Sequence, residues 1–371
     1  MKKIRVAQIL GAANAGGVES MIMNLYRNID RTKVEFDFYV ENTCPIINQN
    51  EIEQMGGKVI IIPKYTHIFS YLKTLKKLLK KGNYDIVHSN MNALSVFPLW
   101  AAKKAGIKIR IAHSHSTSNH KEFGKSIIKN ILRPFSKVNA THYFACSKLS
   151  AEWLFGKKMV KKNKVTIINN AVDLNRFCYD ENKRNSIRNE LNINDKFVVG
   201  HIGRFMKQKN HKFLIDIFDQ INKLNSNAIL LLIGTGPLLN QIKQYVKQKQ
   251  LENKVMFVGN TNEPEKYYQA MDTFLLPSLY EGLPVVGIEA QDNGLNCFFS
   301  TNITNELKVN ENVYFLSLND KSCNWAQEII NKKPINRLIG YQNMVQSHYN
   351  IKLESKKLLD IYEHLVKEEG K

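Results

Sequence analysis

Short apolar runs alternate with longer segments of helical periodicity along the whole chain. Most of these runs are continuously apolar, which is typical of strands that helices cover on both faces. Regular strand–helix alternation predicts parallel sheets built from β-α-β units. The first series of runs comprises residues 4–10, 36–40, 58–63, 85–90, 107–113, 142–147 and 165–170, and the second comprises residues 197–203, 228–234, 255–259, 273–277, 297–301 and 313–318. Two such series predict an α/β protein with two doubly wound domains.

A polar stretch between the two series predicts where the domains separate. Residues 180–195 are largely polar and precede the first strand of the second series. We predict an N-terminal domain over residues 1–175, a C-terminal domain over residues 176–345 and a helical segment over residues 346–371 that docks back. Ligands of such sheets bind at the carboxyl ends of the strands, so we expect the site in loops that face a central cleft.

Composition narrows the class of protein. With 43% hydrophobic and 23% charged residues among 371, the chain has an ordinary globular composition. No run approaches the roughly 18 apolar residues of a membrane span. Residues 4–10 are predicted to form a first strand and not part of a signal peptide. The five cysteines form no C-x-x-C pair, which argues against a disulfide scaffold or a zinc cluster and favours a reducing compartment.

The positive charge is concentrated in one half of the chain. The formal net charge is +20, and residues 1–175 hold 28 basic and 11 acidic side chains, which leaves a net charge of only +3 for the remainder. This asymmetry favours an extended anionic partner for the first half, either nucleic acid or an anionic membrane surface. General solubility is the alternative explanation.

The loop after the strand at 273–277 carries the strongest local signal. It contains Glu281, and Glu289 follows on the second turn of a predicted helix that begins at Pro284. Free backbone N–H groups at residues 282–285 are expected to face an anion, with help from the helix dipole. Two carboxylates on either side of an anion site suit a nucleotide-sugar, which has a polyol at each end of its diphosphate. Two exposed acids near a turn are the alternative.

The loop after the strand at 197–203 is basic. Arg204 and Lys209 lie at the end of that strand, where a forked donor and a point charge can reach a diphosphate. Gly234 and Gly236 follow the next strand and give a weaker signal for an anion site. An ordinary solvated basic loop is the alternative for this segment taken alone.

A glycine-containing loop joins the first strand to the first helix. Asn14, Gly16 and Gly17 lie in it, and the glycines would let the backbone approach a ligand closely. The loop matches neither G-x-G-x-x-G nor the Walker pattern, which argues against a dinucleotide or ATP site.

Two histidines, His113 and His115, stand at the end of the strand at 107–113. A histidine at a cleft edge can act as a base or as a polar clamp, whereas His113 is also consistent with a buried core residue. No cysteine, aspartate or glutamate lies near them in sequence, and the chain contains no D-x-D. We therefore predict a site without a metal ion or other cofactor.

Taken together, these motifs resemble family 4 retaining glycosyltransferases. The resemblance rests on Arg204 with Lys209, the E-G-x-P-x-x-x-x-E pattern from Glu281 to Glu289, the Gly16-Gly17 loop and residues 170–173. The R-I-A-H-S-H strand, residues 110–115, is similar to that of capsule and exopolysaccharide enzymes. The resemblance covers nearly the whole chain and implies the GT-B fold, with the acceptor on the N-terminal domain and the donor on the C-terminal domain.

The resemblance also implies roles for single residues. Arg204 and Lys209 would neutralise the donor diphosphate, Glu281 would hold hydroxyls of the transferred sugar, and Glu289 would hold the ribose. His115, or else His113, would lie beside the reacting centre. The remaining donor-binding residues implied are Gly282, Leu283, Pro284, Gly234 and Gly236, and the departures from the family pattern are Asn210, Asn296 and Ser300-Thr301. A UDP-sugar is the expected donor because UDP is common among similar enzymes.

Three basic segments of the first half are candidates for membrane contact. Residues 71–81 place leucines on one helical face and lysines on the other, which favours a surface helix packed on the sheet. Residues 123–135 and 153–164 mix bulky apolar and cationic side chains. We hypothesise a cytoplasmic protein that lies on the inner face of the cell membrane and uses a lipid-linked or saccharide acceptor.

Two other functions are compatible with parts of this pattern. A nucleotide-sugar 2-epimerase has the same two-domain fold, but it needs no lipid-facing basic half. A nucleic-acid-binding protein would use the basic half, yet the chain has no RRM, KH or helix-turn-helix signature. We therefore expect a sugar-transferring enzyme that binds no nucleic acid.

Overall fold

The structure is a computed structural model that describes residues 2–11, 17–41, 49–115, 130–333 and 335–370. The chain divides into two compact units: Met1–Ala171 with Ile351–Lys371 form the first unit, and Val172–Asn350 form the second. The sequence placed the boundary at residue 175 and set the last segment apart. The structure instead begins the second unit at Val172 and adds the last segment to the first unit.

The first unit contains a seven-stranded parallel sheet with the order β3-β2-β1-β4-β5-β6-β7. Its strands are β1 Ile4–Ile9, β2 Val34–Glu41, β3 Lys58–Ile62, β4 Ile86–Ser89, β5 Ile109–Ser114, β6 His142–Ala145 and β7 Thr166–Ile167. The helices described are α1 Gly17–Asn28, α2 Gln49–Gln54, α3 Ile68–Gly82, α4 Val96–Lys104, α5 Lys148–Phe155, α6 Lys157–Lys161 and, at the end of the chain, α15 Ile351–Glu369. The order reverses between β1 and β4, as in doubly wound nucleotide-binding sheets.

The second unit repeats this order in a six-stranded parallel sheet, β10-β9-β8-β11-β12-β13. Its strands are β8 Phe197–Ile202, β9 Ala228–Ile233, β10 Val255–Gly259, β11 Thr273–Leu276, β12 Asn296–Ser300 and β13 Val313–Leu316. Its helices are α7 Leu174–Phe177, α8 Glu181–Glu190, α9 His211–Leu224, α10 Leu239–Gln248, α11 Pro264–Ala270, α12 Val285–Asp292, α13 Ser322–Asn331 and α14 Arg337–Val345. The prediction of two doubly wound α/β sheets is confirmed.

Burial explains why the apolar runs form central strands. All six residues of β9 are buried, and β11 and β12 are buried along their whole lengths. Each is covered on both faces by helices, so its sequence shows no polar alternation.

The last helix, α15, packs on the first unit. Leu358, Leu359 and Tyr362 belong to the same apolar core as residues of β1 and β2. The carboxylate of Glu354 accepts a hydrogen bond from the backbone N–H of Asn169 at 3.0 Å. These contacts confirm the predicted docking helix. Among the described residues, no helix is both long enough and apolar enough to span a membrane.

Candidate functional site

The loops that follow β8, β9 and β11 contact one another at one edge of the second sheet. The backbone N–H of Leu279 donates to the carbonyl of Gln208 at 2.8 Å, and that of Phe205 donates to the carbonyl of Thr235 at 2.9 Å. Because these strands are neighbours in a parallel sheet, their carboxyl ends meet, as the sequence predicted.

A partly buried ion pair joins Lys209 to Glu281 within these loops. The lysine Nζ lies 2.6 Å from Oε1 of the glutamate, and the two side chains are 14% and 9% exposed. The same carboxylate accepts hydrogen bonds from Ser278 Oγ at 2.9 Å and from Gln208 Nε2 at 3.0 Å. These contacts fix the orientation of the Glu281 carboxylate and hold it against the Lys209 ammonium. The sequence predicted both charged residues but neither neutral partner.

Arg204 has a different environment from Lys209. Its side chain is exposed and makes no hydrogen bond or ion pair with any residue that the structure describes. The guanidinium remains available to a ligand, and its planar fork suits two phosphate oxygens.

The glycines after β9 allow their loop to lie directly against the basic loop. Gly234 has φ +131°, and a Cβ atom there would stand 2.3 Å from the carbonyl oxygen of Gly203. A Cβ atom on Gly236 would stand 2.5 Å from the carbonyl oxygen of Phe205. Any side chain at these two positions would push the loops apart, so the glycines help to shape the site.

The helix after the acidic loop begins one residue later than predicted. Pro284 has an extended backbone and is the N-cap, so α12 begins at Val285. The first N–H groups of this helix have no partner within the helix, a property of every helix N-terminus. They lie next to Gly282 and Leu283 in sequence, which is consistent with the predicted anion site.

Glu289 lies on α12 and is half-buried. The hydroxyl of Tyr268, which the sequence analysis did not identify, donates a 2.8 Å hydrogen bond to its carboxylate. Burial raises the pKa of Glu289 to about 7, and the Tyr268 hydrogen bond only partly offsets this effect. The carboxyl group therefore titrates near neutral pH.

The two histidines of the first unit are distinguished by their surroundings. His113 lies in β5, is buried and is hydrogen-bonded through Nδ1 to His88 at 2.9 Å. His115 follows the strand and is half-buried, and its Nε2 lies 2.9 Å from the side-chain oxygen of Asn90. Burial lowers the pKa of His115 to about 3, so its ring is neutral at physiological pH. This geometry favours His115 over His113 as the residue that meets a ligand.

Part of the predicted glycine loop lies outside the described residues. This applies to Asn14 and Gly16, whereas Gly17 is the first residue of α1. Among the described residues, no three histidine, cysteine, aspartate or glutamate side chains cluster to hold a metal ion. A reaction without metal stays a prediction.

The basic segments differ in which side chains they expose. In α3, Tyr71, Leu75 and Leu79 are buried, so this helix packs on the sheet as expected. In α5, Leu154 and Phe155 are also core residues, which corrects their interpretation as interfacial side chains. Trp153, Leu154 and Phe155 are consecutive, so they point in different directions around a helix and their spacing does not predict which of them are buried.

An exposed apolar group remains in the part of the 123–135 segment that the structure describes. Ile131 and Phe135 are 61% and 52% exposed, and Val138 is exposed as well. Arg133 and Lys137 lie between them in sequence. We call residues 131–138 the apolar-basic patch. Residues 123–129 lie outside the described part of the chain.

Comparisons with known proteins place the two units in one enzyme class. A family model described as Glycosyltransferase Family 4 matches residues 15–176, and one described as Glycosyl transferases group 1 matches residues 183–319. EpsF of Bacillus subtilis, a protein named as a glycosyltransferase, is 32% identical over 332 residues, with 88% of this chain and 86% of EpsF covered.

Two further similarities extend over nearly the whole chain. The Escherichia coli UDP-Gal:alpha-D-GlcNAc-diphosphoundecaprenol alpha-1,3-galactosyltransferase is 25% identical, with 98% of each chain covered. The crystal structure of Anabaena Alr3699/HepE in complex with UDP superposes with a TM-score of 0.81 at 16% identity, covering 98% of this chain and 100% of that one.

Proposed function

This chain belongs to glycosyltransferase family 4, and we propose that it transfers a sugar from a UDP-sugar to a lipid-diphosphate-linked acceptor in surface polysaccharide biosynthesis. The enzyme class and the GT-B fold follow from the family and from the two doubly wound sheets. The donor and the acceptor are proposed from the name of the Escherichia coli relative, which matches this chain over 98% of each sequence.

The observation that carries the proposal is the arrangement of charge in the second unit. Lys209 is fixed against Glu281 at 2.6 Å, while Arg204 from the same loop is unpaired among the described residues. A diphosphate would be met by two cations and by the N–H groups at the start of α12. These groups stabilise the negative charge that develops on the leaving nucleoside diphosphate as the glycosidic bond breaks. They supply this stabilisation without a metal ion.

In this proposal, the two carboxylates bind the two ends of the donor that carry hydroxyl groups. Glu281 is an acceptor for hydroxyl groups of the transferred sugar, and Glu289 is an acceptor for the ribose hydroxyls. In the first unit, neutral His115 accepts a hydrogen bond from a substrate hydroxyl. Retention of the anomeric configuration is the outcome that family membership implies.

A transfer assay tests the function directly. Purified protein is incubated with labelled UDP-, GDP- and ADP-sugars, with and without a lipid-diphosphate-linked sugar, in the presence of EDTA. We expect label to enter the lipid fraction from a UDP-sugar only when the acceptor is present. Isomerisation of the donor without an acceptor would identify an epimerase, and absence of transfer from every donor would contradict the proposal.

Replacing Glu289 by glutamine is expected to weaken donor binding and to stabilise the protein at alkaline pH. Loss of a charged acceptor for the ribose raises the donor KM by about tenfold. Because the folded-state pKa is raised from 4.5 to about 7, wild-type stability falls as pH rises between these values. Glutamine removes that loss, which amounts to at most about 3 kcal/mol at pH 8.

Urea denaturation of wild type and Glu289→Gln at pH 4.5 and pH 8 measures the effect on stability. The difference in free energy of unfolding is expected to be larger at pH 8. An equal difference at both pH values would show that the carboxyl group does not titrate near neutral pH.

The apolar-basic patch supports peripheral binding to an anionic membrane. Exposed Ile131 and Phe135 can enter the interface while Arg133 and Lys137 meet lipid phosphates. We expect the protein to sediment with phosphatidylglycerol vesicles at low salt and to be released by high salt. Phe135→Ser should reduce sedimentation severalfold. Phe69→Ser, which changes an exposed phenylalanine of α3, is the matched control. Equal binding of all three proteins would contradict a role for the patch.

A further inference from the structure

A chain of buried hydrogen bonds connects α15 to the histidines of the first unit. The hydroxyl of Tyr362 lies 2.6 Å from Nδ1 of His88, and Nε2 of His88 lies 2.9 Å from Nδ1 of His113. The ring of His113 stacks on that of His115, with 3.9 Å between centroids. Tyr362, His88 and His113 are buried, so water does not compete for these contacts.

A second branch leads from Tyr362 to His115 through two amides. Gln8 Nε2 lies 3.4 Å from the Tyr362 hydroxyl, and Asn90 Nδ2 donates to Gln8 Oε1 at 2.9 Å. The other end of the Asn90 amide, Oδ1, lies 2.9 Å from Nε2 of His115. Gln8 and Asn90 are buried as well.

The amides give this branch a direction. An amide donates only through nitrogen and accepts only through oxygen. Since Asn90 donates to Gln8, its oxygen faces His115 and must accept a hydrogen bond from the N–H at Nε2. Burial lowers the pKa of His115 to about 3, so the ring carries one proton and Nδ1 keeps its lone pair.

The same reasoning orders the histidine branch. Tyr362 accepts from Gln8, so its own O–H is free to donate to Nδ1 of His88. His88, whose pKa is lowered to about 3 by burial, then carries its proton on Nε2 and donates to Nδ1 of His113. In this direction the proton of His113 lies on Nε2, which has no partner among the described residues, whereas in the opposite direction the Tyr362 oxygen would face two donors and its own proton would have no acceptor there. Tyr362 is thus the group at which both branches meet.

We propose that Tyr362 is a positioning residue that fixes His115 in the tautomer with its lone pair on Nδ1, ready to accept a hydrogen bond from a substrate hydroxyl. The inference rests on the proposed function, because that function assigns His115 to the substrate. Without the Tyr362 oxygen, the Gln8 nitrogen has no acceptor in the part of the chain that the structure describes. The Gln8 amide can then rotate, and Asn90 keeps only the 3.3 Å hydrogen bond from Nδ2 to the backbone carbonyl of His88. Rotation of the Asn90 amide then lets His115 take the other tautomer.

Ring nitrogen NMR of ¹⁵N-histidine-labelled protein tests the assignment, with the His115 signals identified by their loss in His115→Gln. We expect wild type to show a protonated Nε2 and an unprotonated Nδ1 at His115. Tyr362→Phe and, independently, Gln8→Leu should both introduce the second tautomer. Each substitution should also lower kcat by about tenfold, the effect expected from the loss of one hydrogen bond. The donor KM should not change.

Tyr26→Phe is the matched control, because Tyr26 is equally buried in the first unit and donates to the carbonyl of Met55 outside the chain of hydrogen bonds. It should change neither the His115 signals nor kcat. A single Nε2-protonated tautomer in both Tyr362→Phe and Gln8→Leu, or the same change in Tyr26→Phe, would overturn the inference. If the wild type transfers no sugar but Tyr362→Phe still changes the tautomer of His115, the proposed function is wrong. The role of Tyr362 in fixing that tautomer then stands.

Discussion

Lys209→Met is expected to lower kcat about a thousandfold and to destabilise the second unit. In the proposed function, the substitution removes a cation that stabilises charge on the leaving diphosphate, and the expected loss has the size found for preorganised donors in other enzymes. It also leaves the Glu281 carboxylate, which is 9% exposed, without its counter-ion. Breaking a pair at this depth is expected to cost about 2–3 kcal/mol of unfolding free energy.

Steady-state kinetics and urea denaturation of Lys209→Met separate these two effects. In the double variant Lys209→Met/Glu281→Gln, the unpaired charge is absent, so stability should partly recover while kcat stays low. Lys207→Met changes an exposed lysine of the same loop and serves as the control. If Lys207→Met and Lys209→Met lost equal activity, general loop charge and not the fixed lysine would be responsible.

Arg204→Met is expected to lower kcat/KM about a hundredfold without changing stability. The side chain is exposed and makes no hydrogen bond or ion pair with the described residues that its loss would break. The free energy of unfolding should therefore stay within about 0.5 kcal/mol of wild type. The loss of activity should come from the two parallel hydrogen bonds that a forked cation gives to a diphosphate.

Arg204→Lys refines this prediction. Lysine keeps the charge but not the fork, so it should restore only part of the activity. Full activity in Arg204→Lys would reduce the role of Arg204 to charge alone. Full activity in Arg204→Met would remove it from the donor site.

The main features of the second unit could be predicted from the sequence because they are local. Arg204, Lys209 and Glu281 lie in the loops that follow two apolar strands, and parallel strands bring such loops to one edge. Gln208 could not be assigned as a partner of Glu281, since a hydrogen bond between loops 73 residues apart leaves no periodic trace. Ser278 is only three residues from Glu281, but the conformation of an irregular loop, which brings the two side chains together, cannot be read from spacing. The partner of Glu289, Tyr268, lies 21 residues away on another helix, and a contact between two helices is likewise not visible in the spacing of residues.

The first unit was harder to predict at the level of side chains. The end of β5 decides whether His113 or His115 leaves the sheet, and a sequence pattern does not define a strand end to one residue. Tyr362 lies in the segment that the sequence predicts only as a docking helix, with no role for its hydroxyl. The hydrogen bonds of that hydroxyl are made with His88 and Gln8, which lie more than 270 residues away in the sequence.

Placing α15 in the first unit makes that unit discontinuous in the sequence, whereas the second unit, Val172–Asn350, is one continuous segment. The described residues of the apolar cores of the second unit all lie within those bounds. The core of the first unit instead combines Leu358, Leu359 and Tyr362 with residues of β1 and β2, so it is complete only when a loop that holds the entire second unit has been closed. Closing so long a loop costs conformational entropy, and we therefore expect the first unit to depend more than the second on contacts between distant parts of the chain.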